Sequence, residues 1–346
     1  MYEPRATGRT SVVLNEAISF SLITTSPILL WFYLIAYQDF DASLSSAAAS
    51  LLSEGVFFFS SRLPYPTVVS TTAYLAWVLF QAALYIFIPA HLHRAPRTPG
   101  GRQLLYKLNG LRAWALTVVA AATIAYYGLI GPMFIADNLT GLFATANLYC
   151  IVLIGVFYVK ARTRPDNEGD TLLTGNDLSF AALQHQRFGV VTNAMILALG
   201  FRVIIVVEYF LYEDLFFETL DGAHERFSFY NIYGFAAMMP QLYTLQTQYL
   251  ARHPVQLSIS FAIAVSICFA VGWALNHDAN SQKNLSRRQN GRCRVWGKEA
   301  KFLEAKYQTT DGKTHRTVLL CSALPPDQAD LLRLESELID LVKFQI

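Results

Sequence analysis

The sequence predicts an all-α fold, a polytopic membrane helix bundle of about seven spans with a small cytosolic β-hairpin appendage. Three observations predict it. Apolar residues make up 53% of the chain and charged residues only 15%, against about a quarter charged in soluble domains. The apolar residues gather into blocks long enough to cross a hydrocarbon core, which takes about 20 residues per helix. Lys and Arg collect between certain blocks and after the last one, as they do on the cytosolic side of membrane proteins.

The blocks are Ala17–Tyr37, Pro66–Ala90, Leu111–Ile135, Leu142–Val159, Arg187–Leu211, Phe227–Leu250 and Val255–Leu275. Backbone amides find no water in lipid, so each block is expected to be helical. Ala42–Ser60 is also apolar but is rich in serine and interrupted by Glu54; a re-entrant or surface piece is expected there. Past the last block, KFLEAKYQTT and KTHRTVLLCS flank Asp311-Gly312, a dipeptide that closes tight hairpins. The chain thus reads as a membrane bundle, 1–276, a basic segment with the hairpin, 277–322, and a tail, 323–346. In that tail Leu331, Leu334, Leu338 and Leu341 share one helical stripe. Cys150, Cys268, Cys293 and Cys321 show no paired spacing, so neither a disulfide framework nor a metal site is expected. Walker, dinucleotide-glycine, HExxH and nucleophile-elbow motifs are absent, and a net charge of +2 gives no sign of a nucleic-acid partner.

Charge sets an expected orientation. The loop 91–110 carries Arg94, Arg97, Arg102 and Lys107 and is expected in the cytosol. Counting spans from it puts 38–65 and 136–141 in the lumen and returns Lys160, Arg162 and Arg164 to the cytosol. Three more spans would leave the tail lumenal, yet that tail holds Lys283, Arg287, Arg288, Arg292, Arg294 and Lys298, the densest basic run in the chain. Either the rule fails here, or a crossing is missing between Arg164 and Arg187, where the sequence is too polar to supply one.

Three features bear on chemistry, each with two readings. Arg202 and Glu208 lie within one apolar block, costly unless they face protein or water; they mark a substrate or proton path, or they form an internal ion pair or sit at the interface. Tyr243, Gln246 and Tyr249 share a helical stripe; they line a pocket, or they serve as interhelical glue and interfacial anchors. The basic run 282–294 anchors the chain to anionic lipid, or it binds the phosphates of a nucleotide cofactor.

Longer stretches resemble a known family. LLYKLNGLRAW (Leu104–Trp114) is similar to the tyrosine–asparagine–glycine signature of the membrane sterol reductases. VTNAMIL (Val191–Leu197), YEDLFFETLDGAHERFSFY (Tyr212–Tyr230), LYTLQTQYLARHPVQLS (Leu242–Ser258) and NSQKNLSRRQNGRCRVWG (Asn280–Gly297) resemble its Δ7-sterol branch in particular. The resemblance implies a ten-helix enzyme of the endoplasmic reticulum membrane. Its activity would be reduction of the Δ7 double bond of a sterol with NADPH. The same likeness extends to Δ14 and Δ24(28) reductases and to non-catalytic sterol-binding relatives. It implies that Lys283, Arg287 and Leu320 contact the cofactor, and it keeps Tyr243 and Gln246 as sterol-pocket candidates; it assigns no catalytic residue.

Two departures stand against the family pattern. The chain passes from Thr174–Asn176 straight to DLSFAALQ, where the family has an additional segment with most of a membrane helix. That is the crossing the charge pattern finds missing. After Ser322 the likeness ends, so the chain as written is expected to lack part of the pocket and to be inactive.

Overall fold

The computed structural model describes residues 9–97, 103–163, 177–217, 229–308 and 312–320. Its helices are α1 (Arg9–Asp39), α2 (Leu44–Glu54), α3 (Phe57–Ser60), α4 (Val68–Phe87), α5 (Gly110–Tyr126), α6 (Phe134–Asp137), α7 (Leu139–Thr163), α8 (Asp177–Phe188), α9 (Asn193–Leu211), α10 (Glu213–Phe217) and α11 (Phe229–Tyr233). A π-helical turn (Gly234–Met238) then leads into α12 (Met239–Arg252), followed by α13 (Ile259–Arg288). Three antiparallel strand pairs accompany them: β1 (His91–Arg97) with β2 (Gln103–Leu108), β3 (Arg294–Val295) with β4 (Lys298–Glu299), and β5 (Phe302–Gln308) with β6 (Thr314–Leu320). The divergent tail lies outside the described residues.

Each of the seven apolar blocks contains a helix, and among the described residues five stretches are long and apolar enough to cross a membrane: Ser21–Asp39, Val68–Phe87, Leu139–Phe157, Asn193–Leu211 and Ile259–Arg288. The other two blocks fall short for different reasons. α5 stops after 17 residues, where Gly128 takes φ +66°, a left-handed helix stop that suits glycine. In the block Phe227–Leu250 the helix runs unbroken from α11 through the π turn into α12, but α12 is rich in Gln and Thr and less apolar than the five.

The chain divides into two compact units. The first comprises Met1–Pro89, Asn109–Val207 and Glu225–Ile263. Its core joins Leu30, Leu34 and Tyr37 of α1 to Phe143 and Cys150 of α7, Phe180 of α8, Met195 of α9 and Tyr233 of α11. Close helix approach depends on small residues: a Cβ added at Gly141 of α7 would meet the Ser70 hydroxyl of α4 at 2.7 Å. Ser70 is fully buried there, and its hydroxyl lies 3.3 Å from that of Thr145. The serine-rich piece after α1 forms two short helices, α2 and α3, packed on α1 through Phe58, so it does not cross. Arg62 grips Glu54 there with one nitrogen at 2.6 Å and another at 3.0 Å. That guanidinium, with a hydroxyl from Ser50, holds the Glu54 carboxyl below its ordinary value.

The polar stretch before α9 yields α8, a helix that composition did not foretell. At 12 residues it is about 18 Å long, too short to cross. It is held by the fully buried Gln184, whose amide donates to the Leu250 carbonyl at 2.6 Å and whose oxygen accepts from the Thr192 backbone at 2.9 Å.

The second unit comprises Ala90–Leu108, Glu208–His224 and Ala264–Ile346. The basic loop 91–110 of the sequence is here a hairpin, β1–β2, with Ala95, Leu104 and Tyr106 buried. Phe217 of α10 stacks on Tyr106 with ring centroids 4.2 Å apart. The Tyr-Asn-Gly signature thus gains a local account. Tyr106 anchors the hairpin, while within the first unit Asn109 donates to the carbonyls of Tyr85 and Ile88. Those carbonyls belong to the C-terminal end of α4, and Gly110 opens α5.

Candidate functional site: the cationic end of α13

α13 has 30 residues, about 45 Å at 1.5 Å per residue, and a hydrocarbon core is about 30 Å thick. Its apolar part ends at Leu275 and Asn276–Arg288 is polar, so the last turns extend beyond lipid. Ile259, Ile263, Ile267, Val271 and Leu275 repeat at intervals of four and are all exposed, a stripe suited to hydrocarbon contact.

Lys283 and Arg287 stand one turn apart on the polar end, both exposed. That spacing separates Cβ atoms by about 6 Å. Among the described residues Lys283 has no carboxylate within ion-pair range. A helix C-terminus carries partial negative charge, so an anion bound here is held by these side chains and not by the backbone.

Two carboxylates from other elements hold the same helix, and a third lies on it. Glu208, at the end of α9, accepts from His277 Nδ1 at 2.8 Å and from the Trp273 indole. The Trp273 and His277 rings stack with centroids 5.9 Å apart, and Tyr212 meets the His277 ring edge-on at 5.1 Å. Asp214 of α10 pairs with Arg288 at 3.3 Å. Asp278 accepts from Gln282 and from the Trp296 indole. Trp296 reaches back because Trp296 and Gly297, between β3 and β4, both take positive φ, +50° and +79°, the geometry of a two-residue hairpin turn.

Beyond α13 the chain turns at Gly291, with φ +78°, and a side chain there would run into the Phe302 ring of β5. Phe302 is the cross-strand partner of Leu320. The end of the predicted hairpin is therefore seated against the segment leaving α13, with Leu320 half-buried. Of the sequence candidates, Lys283 and Arg287 come together on one side of α13, and Leu320 joins the same unit through Phe302 and Gly291. The hairpin spans the strands expected, and Gly312 takes φ +81°.

Tyr243 and Gln246 belong to the first unit, on α12, and both are exposed along with Tyr249. The buried side of α12 is the other stripe, Gln241, Thr244, Thr247, Gln248 and Ala251. Arg202 and Glu208 do not pair with each other. Arg202 donates to the Tyr243 carbonyl and lies 4.9 Å from the centre of its ring.

Sequence reasoning missed the partners of Glu208, because nothing at the level of spacing links residue 208 to residues 273 and 277. It also missed β1–β2, for which a signal existed: Pro99-Gly100-Gly101 between HLHRAPR and QLLYKL, turn residues between two extended runs.

Comparison with known proteins bears on the identity of this arrangement. The profile of the ergosterol biosynthesis ERG4/ERG24 family matches residues 15–179 and 171–318. The two matched blocks overlap at residues 171–179, around the Thr174–Asn176 stretch. A 7-dehydrocholesterol reductase of Xenopus laevis is 31% identical over 352 residues, spanning 87% of this chain and 74% of the relative. One of Danio rerio is 30% identical with the same coverage. A Delta(14)-sterol reductase of Methylotuvimicrobium alcaliphilum is 29% identical over 310 residues, spanning 80% of this chain and 71% of the relative. The 352 aligned positions outnumber the 346 residues of the chain, so the relatives carry positions this chain lacks. With its apolar helices it is a multi-pass membrane protein, and it belongs to the ergosterol biosynthesis ERG4/ERG24 family of sterol reductases.

Proposed function

We propose that the chain is built for NADPH-dependent reduction of the Δ7 double bond of a sterol, in the endoplasmic reticulum membrane and with the end of α13 in the cytosol. The observation that carries this reading is the pair Lys283 and Arg287, exposed on the polar end of a membrane helix, in a chain similar to two 7-dehydrocholesterol reductases. Two cations one turn apart fit the pyrophosphate or 2′-phosphate of a dinucleotide, and arginine suits bidentate contact. Bound there, NADPH would supply the hydride. The chain's residues would grip its phosphates through Lys283 and Arg287, with Leu320 beside them. The apolar helices would shelter the sterol from water. An alkene is unpolarised, so its second carbon needs a proton from an acid in the same water-poor pocket.

The test is conversion of 7-dehydrocholesterol with NADPH in reconstituted membranes, followed by mass spectrometry. Two proteins are compared: the chain as written, and a version carrying the relatives' residues after Asn176 and after Ser322. Reduction of the Δ7 bond by the longer version and not by the shorter is the expected result. Reduction only of a Δ14 sterol, the activity named for the bacterial relative, would move the assignment to that bond. Sterol binding with no NADPH binding by either version would refute the reductase reading.

A further inference from the structure

The carboxylates around α13 divide the helix into sides. Trp273, His277 and Arg288 are separated by four and eleven residues, about 40° and about 20° from whole turns at about 100° per residue, so they lie within an arc of about 60° on one side. That side is held at two points about 16 Å apart along the axis: Glu208 takes Trp273 and His277, and Asp214 takes Arg288. Asp278 and Gln282 lie roughly a third of a turn away, tied to Trp296. Lys283 and Arg287 occupy the side opposite Asp278 and Gln282. A single exposed ion pair does little to hold a helix. A carboxylate accepting from both an indole and an imidazole is stronger, and only 17% of the Glu208 side chain is exposed.

We infer that Glu208 and Asp214 are positioning residues, a two-point clamp that fixes the rotation of α13 and so aims Lys283 and Arg287 at the cofactor phosphates. The inference rests on the cofactor reading above. A slip of one residue would turn the two cations by about 100° and take both from the phosphates together. Neither clamp carboxylate touches the cofactor. Their effect is read in nucleotide affinity, and the sterol side is left unchanged.

The experiment measures NADPH and sterol dissociation constants and the melting temperature in lipid nanodiscs, for the full chain and for the version carrying the relatives' residues. Lys283→Ala sets the scale, with about tenfold weaker NADPH binding expected, equivalent to about 1.4 kcal/mol. Glu208→Gln keeps the size of the side chain but presents an amide to one of the two donors, and should weaken NADPH to a similar degree with sterol affinity and melting little changed. Asp214→Arg and Arg288→Asp should each weaken NADPH severalfold, and the two together should restore it, because the pair is re-formed with reversed charges. Failure of the double variant to recover overturns the clamp and makes Arg288 a phosphate ligand in its own right. Equal losses of NADPH affinity, sterol affinity and melting temperature in Glu208→Gln also overturn it, since that is a folding role. If neither the unaltered chain nor the version carrying the relatives' residues binds NADPH, or Lys283→Ala changes nothing in the version that binds, the cofactor reading fails and the clamp proposal falls with it. Binding that depends on Lys283 but is indifferent to both carboxylates sinks the clamp alone.

Discussion

α12 and α13 each carry a polar stripe, one turned toward protein and the other toward solvent. On α12 the buried residues are Gln241, Thr244, Thr247 and Gln248, and Gln248 donates to the Thr244 hydroxyl at 2.8 Å. On α13 the exposed face through Leu275 is apolar, and polarity begins only where the helix outruns the hydrocarbon. The contrast follows from the solvent. At bilayer depth a polar group must find protein, whereas beyond the headgroups water accepts it. Charges on one helix divide the same way: Arg202 is satisfied by a carbonyl and a ring, Glu208 by side chains of α13.

The comparison is broken most readily at Gly291. A valine there would have to hold φ +78° and displace the Phe302 ring, costing about 2–5 kcal/mol. Limited proteolysis should show the β5–β6 region opened while the bundle stays resistant; loss of the bundle as well would mean that the two units fold as one. Next in size is Gln184→Leu, which leaves the Leu250 carbonyl and the Thr192 amide without a buried partner. Thermal unfolding in detergent should show a loss of about 1–3 kcal/mol. An unchanged melting temperature would show that the polar interior contributes nothing there.

Smaller effects sharpen the solvent-facing side. Arg202→Leu removes a cation from an apolar block, trading a cation–π contact of about 1 kcal/mol against the cost of burying the charge, so unfolding should shift by less than Gln184→Leu shifts it. A larger loss would make Arg202 a structural keystone. The smallest effect belongs to Glu54. Its carboxyl is held below the ordinary 4.5 by Arg62, so its contribution is present above that value and is lost as pH falls through the lowered one. Glu54→Gln should abolish this acid-side decline in the proteolytic resistance of α2 and α3 and leave resistance at neutral pH nearly unchanged, as expected for an exposed pair.

Much of the fold was legible. Apolar length located a helix in each of the seven blocks, and Asp311-Gly312 located the β5–β6 hairpin. Composition could not foretell α8, because Asp177–Phe188 folds on contacts made by Gln184 and Phe180 with helices far along the chain. Nor could periodicity choose which stripe of α12 faces inward: Tyr243 and Gln246 alternate with Thr244 and Gln248, and both stripes are polar. At the candidate site, Lys283 and Arg287 were visible as a basic run on a helix. Glu208, Asp214 and Asp278 acquire partners only in three dimensions.

The π turn at Gly234–Met238 has a consequence for α12. Such a turn holds one residue more than an α-helix needs, so the residues after it keep the faces that an α-helix one residue shorter would give them. Were the same residues wound as regular α-helix, everything after the turn would rotate by about 100°, and Pro240 and Tyr243 would take the positions that Gln241 and Thr244 now fill. The interior would then meet a proline and a phenol where it now meets an amide and a hydroxyl. The winding of a single turn, with no change of side chain, therefore selects which of two surfaces the bundle keeps for itself.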